Sequence, residues 1–350
     1  MAQQTRSDRV RRNRRIKSFI TVFTLVVLAL IAYGIRDQIG ETIANLQRVD
    51  PWPILLIIPL AILNHYAIAK VYQGVFRVLG DRFRTRSMMR LSLEINFVNN
   101  VFPSAGVSGF SYLGLRMMGE SVRAGRSTFV QVMRYSLLFL SFQLLLGFGL
   151  LLLSVAGGVN NFVIMVTASL VTLLFVGTAL AIFVISKRRR LNGFFTGLTR
   201  VLNRIIHYVR PKQPETINIS GVEDLFTDVH KNYVRIRSRL PQLKGALAFA
   251  FLSNLTEVFS IYAVFLAFGE VVNLGAVIIA YAVANFAGIL SVLPGGIGVY
   301  EGLMTGVLVA AGVPVAISLP VVVTFRVVSM AAQVPIGYYF YQKNLEQQLS

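Results

Sequence analysis

Asn96-Phe97, followed by Pro103-Ser104-Ala105-Gly106-Val107-Ser108-Gly109-Phe110, returns about 190 residues later as Asn285-Phe286, followed by Pro294-Gly295-Gly296-Ile297-Gly298-Val299-Tyr300-Glu301. Each stretch sets proline and glycines inside an otherwise apolar run. Lipid cannot satisfy the N–H and C=O groups that such breakers free. At membrane depth a broken segment must therefore be buried in protein or line a wet cavity. Gly/Pro-interrupted segments at corresponding places in two halves of a membrane protein are the best sequence pointer to a transport site.

The rest of the chain supplies the membrane. Of its 350 residues 55% are apolar and 14% charged, and the mean hydropathy is +0.65. Apolar runs of about 20 residues recur, the length that spans a bilayer as a helix. The alternating pattern of an outer-membrane barrel is absent. There is no cysteine, which excludes disulfides and thiolate metal sites. A net charge of +19 would suit nucleic acid, but the basic residues cluster beside apolar spans. Arg9, Arg11, Arg12, Arg14, Arg15 and Lys17 precede the first span, and Lys187 to Arg190 follow a later one. Such clusters mark the cytoplasmic side and attract anionic headgroups. Membrane lipids are the expected partners, and nucleic acid is not.

Full spans are expected at about 18–36, 51–72, 128–156, 161–186, 246–268 and 315–341. Ser18 to Ile35 is too long for a signal-peptide core, and no small-x-small cleavage site follows, so a retained anchor is expected. Between the spans lie two apolar but broken regions, 88–119 and 273–313. Lys and Arg placement puts the N-terminus, 77–90, 187–244 and the C-terminus in the cytoplasm, and 37–50, 157–160 and Glu270 outside. For this topology to close, each broken region must enter and leave on one face, as a re-entrant hairpin or as two short helices. The two halves are then inverted. The expected fold is an all-α integral membrane protein of the cytoplasmic membrane, with an inverted-topology repeat, about six full spans and two broken helical hairpins. It divides into a basic N-terminus (1–17), a first span and outer loop (18–50), repeat 1 (51–156), a linking span (157–186), a cytoplasmic amphipathic loop (187–244), repeat 2 (245–341) and a tail (342–350).

Other pairs carry the duplication. Asn64 matches Asn254, and Val75-Phe76 with Leu79-Gly80 matches Val264-Phe265 with Phe268-Gly269. Pro103 matches Pro294, Arg134 matches Arg326, Gln143 matches Gln333 and Gly147 matches Gly337. Asn, Gln, Arg and Pro are expensive inside spans, which makes these coincidences informative. In the 187–244 loop, Leu191, Phe194, Phe195, Leu198, Val201, Leu202, Ile205, Ile206 and Val209 fall at helical spacing opposite Arg200, Arg204 and Arg210. That amphipathic basic helix suits either the membrane surface or the protein's own helices.

Ionisable residues inside apolar segments are functional candidates. Arg134 and Arg326 offer guanidinium groups that suit phosphate, or that could clamp carbonyls freed by the breaker loops. Glu301 and Glu257 could couple or discriminate, Glu257 facing one cavity with Asn254 a helical turn away. Glu94 reads as a plain ion pair with nearby Arg90. Asn96, Asn285 and Gln333 stand with the breaker loops, where Pro103, Gly106 and Gly109, and Pro294, Gly295, Gly296 and Gly298, would form the groove floor. Gly298, Gly302 and Gly306 have the spacing of a helix-packing stripe. His65, His207 and His230 are too far apart for a metal site, and no G-x-S-x-G elbow or cofactor fingerprint occurs.

The stretch Leu293-Pro294-Gly295-Gly296-Ile297-Gly298-Val299-Tyr300-Glu301-Gly302 resembles the signature of the lysylphosphatidylglycerol synthase transmembrane-region family, flippase-like proteins that include the membrane half of the multiple peptide resistance factor. Pro103 to Leu113 looks like the family's other element, and Arg326 with Gln333, Pro335 and Gly337 like its closing helix. The resemblance covers roughly 50–340. It implies movement of an anionic phospholipid or lipid-linked headgroup between leaflets. The longest soluble loop is far too short for the aminoacyl-transferase domain of the full synthase, so a transporter rather than an enzyme is expected. An ion-coupled solute transporter and a non-transporting scaffold for a separate lipid enzyme remain open, as does homo-oligomerisation.

Overall fold

A computed structural model describes residues 21–47 (other than 23, 25, 28, 30–32 and 35), 49–102, 107–155, 161–209, 219–290 and 296–349. The described residues form helices joined by short turns, with no strand among them. In chain order the helices are α1 (Arg36–Leu46), α2 (Pro51–Leu55), α3 (Ile57–Leu79), α4 (Thr85–Val101), α5 (Val107–Met118), α6 (Ala124–Val155) and α7 (Asn161–Ile185). They continue as α8 (Arg188–Val209), α9 (Ile219–Arg237), a 3-10 turn (Leu240–Leu243), α10 (Lys244–Ala267), α11 (Leu274–Leu290), α12 (Val299–Ala310) and α13 (Val315–Leu349). Among the described residues, five stretches are long and apolar enough to cross a membrane: Pro51–Leu79, Ala124–Val155, Val163–Ile185, Leu240–Ala267 and Val315–Gln347. This is a multi-pass membrane protein. Five of the six expected spans coincide with these stretches, and the sixth, 18–36, lies partly outside the described residues.

The two broken regions resolve as pairs of short helices. α4 and α11 each have 17 residues, and α5 and α12 each have 12. The displacement from Thr85–Val101 to Leu274–Leu290 is constant along the helix, as is that from Val107–Met118 to Val299–Ala310. The duplicated unit is therefore long–short–short–long: α3–α6 in the first half and α10–α13 in the second. Its punctuation is duplicated too. α3 ends where Gly80 turns left-handed (φ 101°), with Gly80 N donating to Arg77 O and Asp81 N to Phe76 O. α10 ends at Gly269 (φ 77°), with Gly269 N donating to Leu266 O and Glu270 N to Phe265 O. Both are Schellman closures, which need a residue that tolerates positive φ.

The equivalent helices α3 and α10 pack antiparallel. Asp50 N, just before α2, donates to Ala267 O at 3.0 Å. Asn64 Nδ2 donates to Ser253 O at 2.9 Å, and Gly74 lies against Ala246, whose Cβ would stand 3.0 Å from a Cβ at position 74. As numbers rise along α3 they fall along α10, so the halves are inverted relative to one another. They also exchange partners: α4 packs on α13, and α11 on α6. Both exchanges use glycine for close approach, Gly337 against Leu93 O and Phe97, and Gly149 against Ile278. Outward-facing apolar residues such as Leu144, Phe148, Leu151 and Phe175 are exposed, as a lipid-facing surface requires.

α9 packs on the ends of the membrane helices. Arg235 Nη1 donates to Leu79 O and Arg239 Nη1 to Val78 O, each at 3.3 Å, occupying carbonyls left at the end of α3. Phe226 of α9 stacks on Phe195 of α8. The expected glycine stripe is corrected: a Cβ at Gly298, Gly302 or Gly306 would meet nothing within 4 Å. α12 instead buries Met304, Val307 and Leu308 against the core.

Candidate functional site

Where the inverted halves meet, α3, α4 and α6 from the first and α10, α11 and α13 from the second enclose a cavity of about 300 Å³. Its wall is unusually polar for a membrane interior. Of the residues expected at the site, Asn96, Arg134, Asn254, Glu257, Asn285, Gly296, Arg326 and Gln333 line it together. Pro103, Gly106, Pro294 and Gly295 lie outside the described residues. Gly109, Gly298 and Glu301 sit behind the wall and act on it through neighbours.

The two arginines hold matching places on α6 and α13 but differ in their partners. Arg326 Nε lies 3.2 Å from Glu301 Oε1, with side-chain exposures of only 13% and 7%, and its guanidinium stands 4.5 Å over the Tyr300 ring. Glu301 Oε2 in turn accepts from Gly298 N at 2.7 Å, a capping-box contact that starts α12. One carboxylate thus ties the arginine to the first turn of the half-helix. Gly298 can serve there because its φ is 84°.

Arg134 has no such carboxylate. The displacement that carries Arg134 onto Arg326, and α5 onto α12, carries Gly109 onto Glu301. A Cβ at Gly109 would stand 2.5 Å from Asn99 Oδ1, so the position holds glycine for closeness to α4. The Arg134 guanidinium rests near the rings of Tyr72 and Tyr135, at 5.3 and 5.1 Å. Its Nε and Nη1 are buried without a hydrogen-bond partner among the described residues. A guanidinium held by tyrosines rather than by a carboxylate, beside a polar cavity, suits an anion.

The amides divide into two groups. Asn64 and Asn254 are structural: Asn64 Nδ2 bonds Ser253 O and Thr256 Oγ1, both at 2.9 Å, while Asn254 Nδ2 bonds Ser141 Oγ and Leu138 O. These bonds lock α3, α6 and α10 at their crossing. Around Gln333 runs a second network. Asn96 Nδ2 donates to Gln333 Oε1 at 2.9 Å, and Asn100 Nδ2 to Asn96 Oδ1 at 3.0 Å. His65 Nε2 lies 3.1 Å from Gln333 Oε1. A carbonyl oxygen only accepts, so that imidazole nitrogen carries the proton. Gly296 (φ 70°) allows the loop before α12 to rest on Gly288, where a Cβ would stand 3.1 Å from Gly288 Cα.

Glu257 lines the cavity half-buried, with no hydrogen bond or ion pair among the described residues. Glu94 lies away from it and corrects an expectation. Its partners are Arg116 Nε at 3.6 Å and Tyr112 OH at 2.9 Å, not Arg90, which is exposed and stands over Phe340. Sequence reading missed His65, Asn99, Asn100, Tyr135, Tyr281 and Tyr300 as wall residues. The signal for two of them was present, since Asn99 and Asn100 follow Asn96 in the same short helix. No group of three metal-ligating side chains occurs among the described residues.

The model of the lysylphosphatidylglycerol synthase TM region matches residues 18–337. The chain belongs to the lysylphosphatidylglycerol synthase TM-region family. Every cavity-lining residue falls inside the matched segment. Among curated proteins, this family member is similar to a UPF0104 membrane protein of Methanothermobacter thermautotrophicus, 29% identical over 92% of this chain and 91% of the relative. A UPF0104 membrane protein of Methanocaldococcus jannaschii is 23% identical over 90% of each chain. A second Methanothermobacter thermautotrophicus UPF0104 membrane protein is 22% identical over 87% of this chain and 90% of the relative.

Proposed function

We propose that this protein passes a phosphate-bearing lipid headgroup between the leaflets of the cytoplasmic membrane, with both termini in the cytoplasm and no covalent chemistry. The observation that carries this reading is Arg134: a guanidinium with two nitrogens lacking an acceptor and no carboxylate partner among the described residues, at a polar cavity between inverted half-units. A phosphate in the cavity would supply the missing charge, and acceptors for the buried Nε and Nη1 once the side chain turns toward it. The inverted pairing of α3 with α10 supports alternating exposure of the site by rocking one half against the other. Sequence treats Arg134 and Arg326 alike; the Arg326–Glu301 pair supports a holding role for Arg326 on α12, which leaves Arg134 as our candidate for the headgroup.

The test is scrambling of a fluorescent anionic phospholipid in proteoliposomes, with bleaching of the outer leaflet as readout. The wild type should expose inner-leaflet label, and Arg134→Gln should not, while retaining its elution profile and helix content. Scrambling by Arg134→Gln at the wild-type rate would defeat the reading.

A further inference from the structure

A phosphate alone needs only a cation, yet neutral carboxamides are the commonest polar side chains in the wall beside Arg134. Asn96, Asn99, Asn100, Asn285 and Gln333 all line the cavity. Three of these side chains keep hydrogen-bonding capacity. Among the described residues Asn99 accepts from Ser108 Oγ at 3.3 Å but its Nδ2 has no acceptor, and Gln333 uses only its Oε1. Asn100 donates to Asn96 but its Oδ1 accepts from nothing among the described residues. None of these three atoms is sealed within the protein. Glu257 adds a carboxylate without a bonding partner. Amides donate and accept from one planar group, which matches the alternating donor and acceptor faces of vicinal hydroxyls. A cavity of about 300 Å³ is at the lower bound of small-molecule sites, room for a headgroup and not for acyl chains.

We infer that the headgroup taken by this cavity is a phosphorylated polyol or sugar, its phosphate at Arg134 and its hydroxyls shared among Asn99, Asn100, Gln333 and Glu257. This rests on the reading of Arg134 as the phosphate site. A ligand poor in hydroxyls would leave the amides facing groups that cannot pair with them, which is how a polar site rejects the wrong ligand.

The experiment is calorimetric titration of the purified full-length protein in detergent with inorganic phosphate, glycerol 3-phosphate and myo-inositol 1-phosphate. Affinity should rise along that series, by about 10-fold or more between the first and last. Asn100→Leu should flatten the series without abolishing phosphate binding. Because that variant could disturb the Asn96–Gln333 network, Asn99→Ser is measured beside it and melting temperature is checked for both. Equal affinity for all three probes, lost in Arg134→Gln, would overturn the polyol inference and leave the phosphate reading standing. Binding of free myo-inositol that ignores both phosphate and Arg134→Gln would keep the polyol site and defeat the phosphate reading. No binding of any probe at millimolar concentration would overturn the inference. Scrambling of labelled phosphatidylinositol, compared with uptake of inositol 1-phosphate by the same vesicles, then separates a lipid-borne ligand from a free one. Failure of both, with the hydroxyl-free headgroup of phosphatidic acid scrambled normally, counts against the inference.

Discussion

The same substitution at the two matched arginines should have opposite effects on stability. Arg134→Met removes a guanidinium whose buried Nε and Nη1 lack acceptors. Each unpartnered donor costs about 1–3 kcal/mol. Lost with it are two cation–π contacts, to Tyr72 and Tyr135, worth about 0.5–2 kcal/mol each. Relief outweighs loss, and the variant should be more stable by about 1 kcal/mol. Arg326→Met leaves the Glu301 carboxylate, at 7% side-chain exposure, without its arginine partner. Orphaning one member of a buried pair costs about 3–5 kcal/mol. The gap between the variants should therefore be about 4–6 kcal/mol. Reversible unfolding in mixed micelles, followed by circular dichroism, measures both. Adding Glu301→Gln to Arg326→Met should recover most of the loss, because the stranded charge is gone. Equal destabilisation by the two single substitutions would show that Arg134 is structurally paired and refute the assignment.

Two further outcomes follow from packing and pairing. Gly337→Leu should lower the unfolding midpoint by an amount equivalent to about 1–3 kcal/mol, since a Cβ there would stand 2.7 Å from Leu93 O and from Phe97 Cβ, whereas Gly147→Leu at the matched position, open to 4 Å, should be nearly neutral. Glu94→Gln should cost about 1–3 kcal/mol, since Arg116 loses its buried partner but keeps Glu120, while Arg90→Gln, at an exposed position, should stay within about 0.5 kcal/mol of wild type in the same assay.

The duplication was legible because its marks are costly residues at fixed displacement. Asn64 with Asn254 and Gly80 with Gly269 fall at the α3–α10 crossing and at the two Schellman ends. The breakers marked where the two broken regions divide, while the choice between a re-entrant hairpin and two short helices was left to the structure. What sequence could not separate was Arg134 from Arg326, because the difference lies in a third residue, glycine at 109 against glutamate at 301, brought close only by folding. Glu94 was assigned to Arg90 by nearness along the helix, but α5 folds back and brings Arg116 to it. The Gly298–Gly302–Gly306 spacing implied a packing face that the surrounding helices do not use. His65 gave only a weak signal, since its partner Gln333 lies 268 residues on and is brought to it only by the packing of α3 and α13.

The measurement that bears most directly on the account is retention of lipid by the purified protein in native mass spectrometry, comparing wild type with Arg134→Gln and Arg326→Gln. The account predicts a phosphate-bearing lipid retained by wild type and lost in Arg134→Gln at unchanged fold. Retention of that lipid by Arg134→Gln, with its loss in Arg326→Gln, would contradict it.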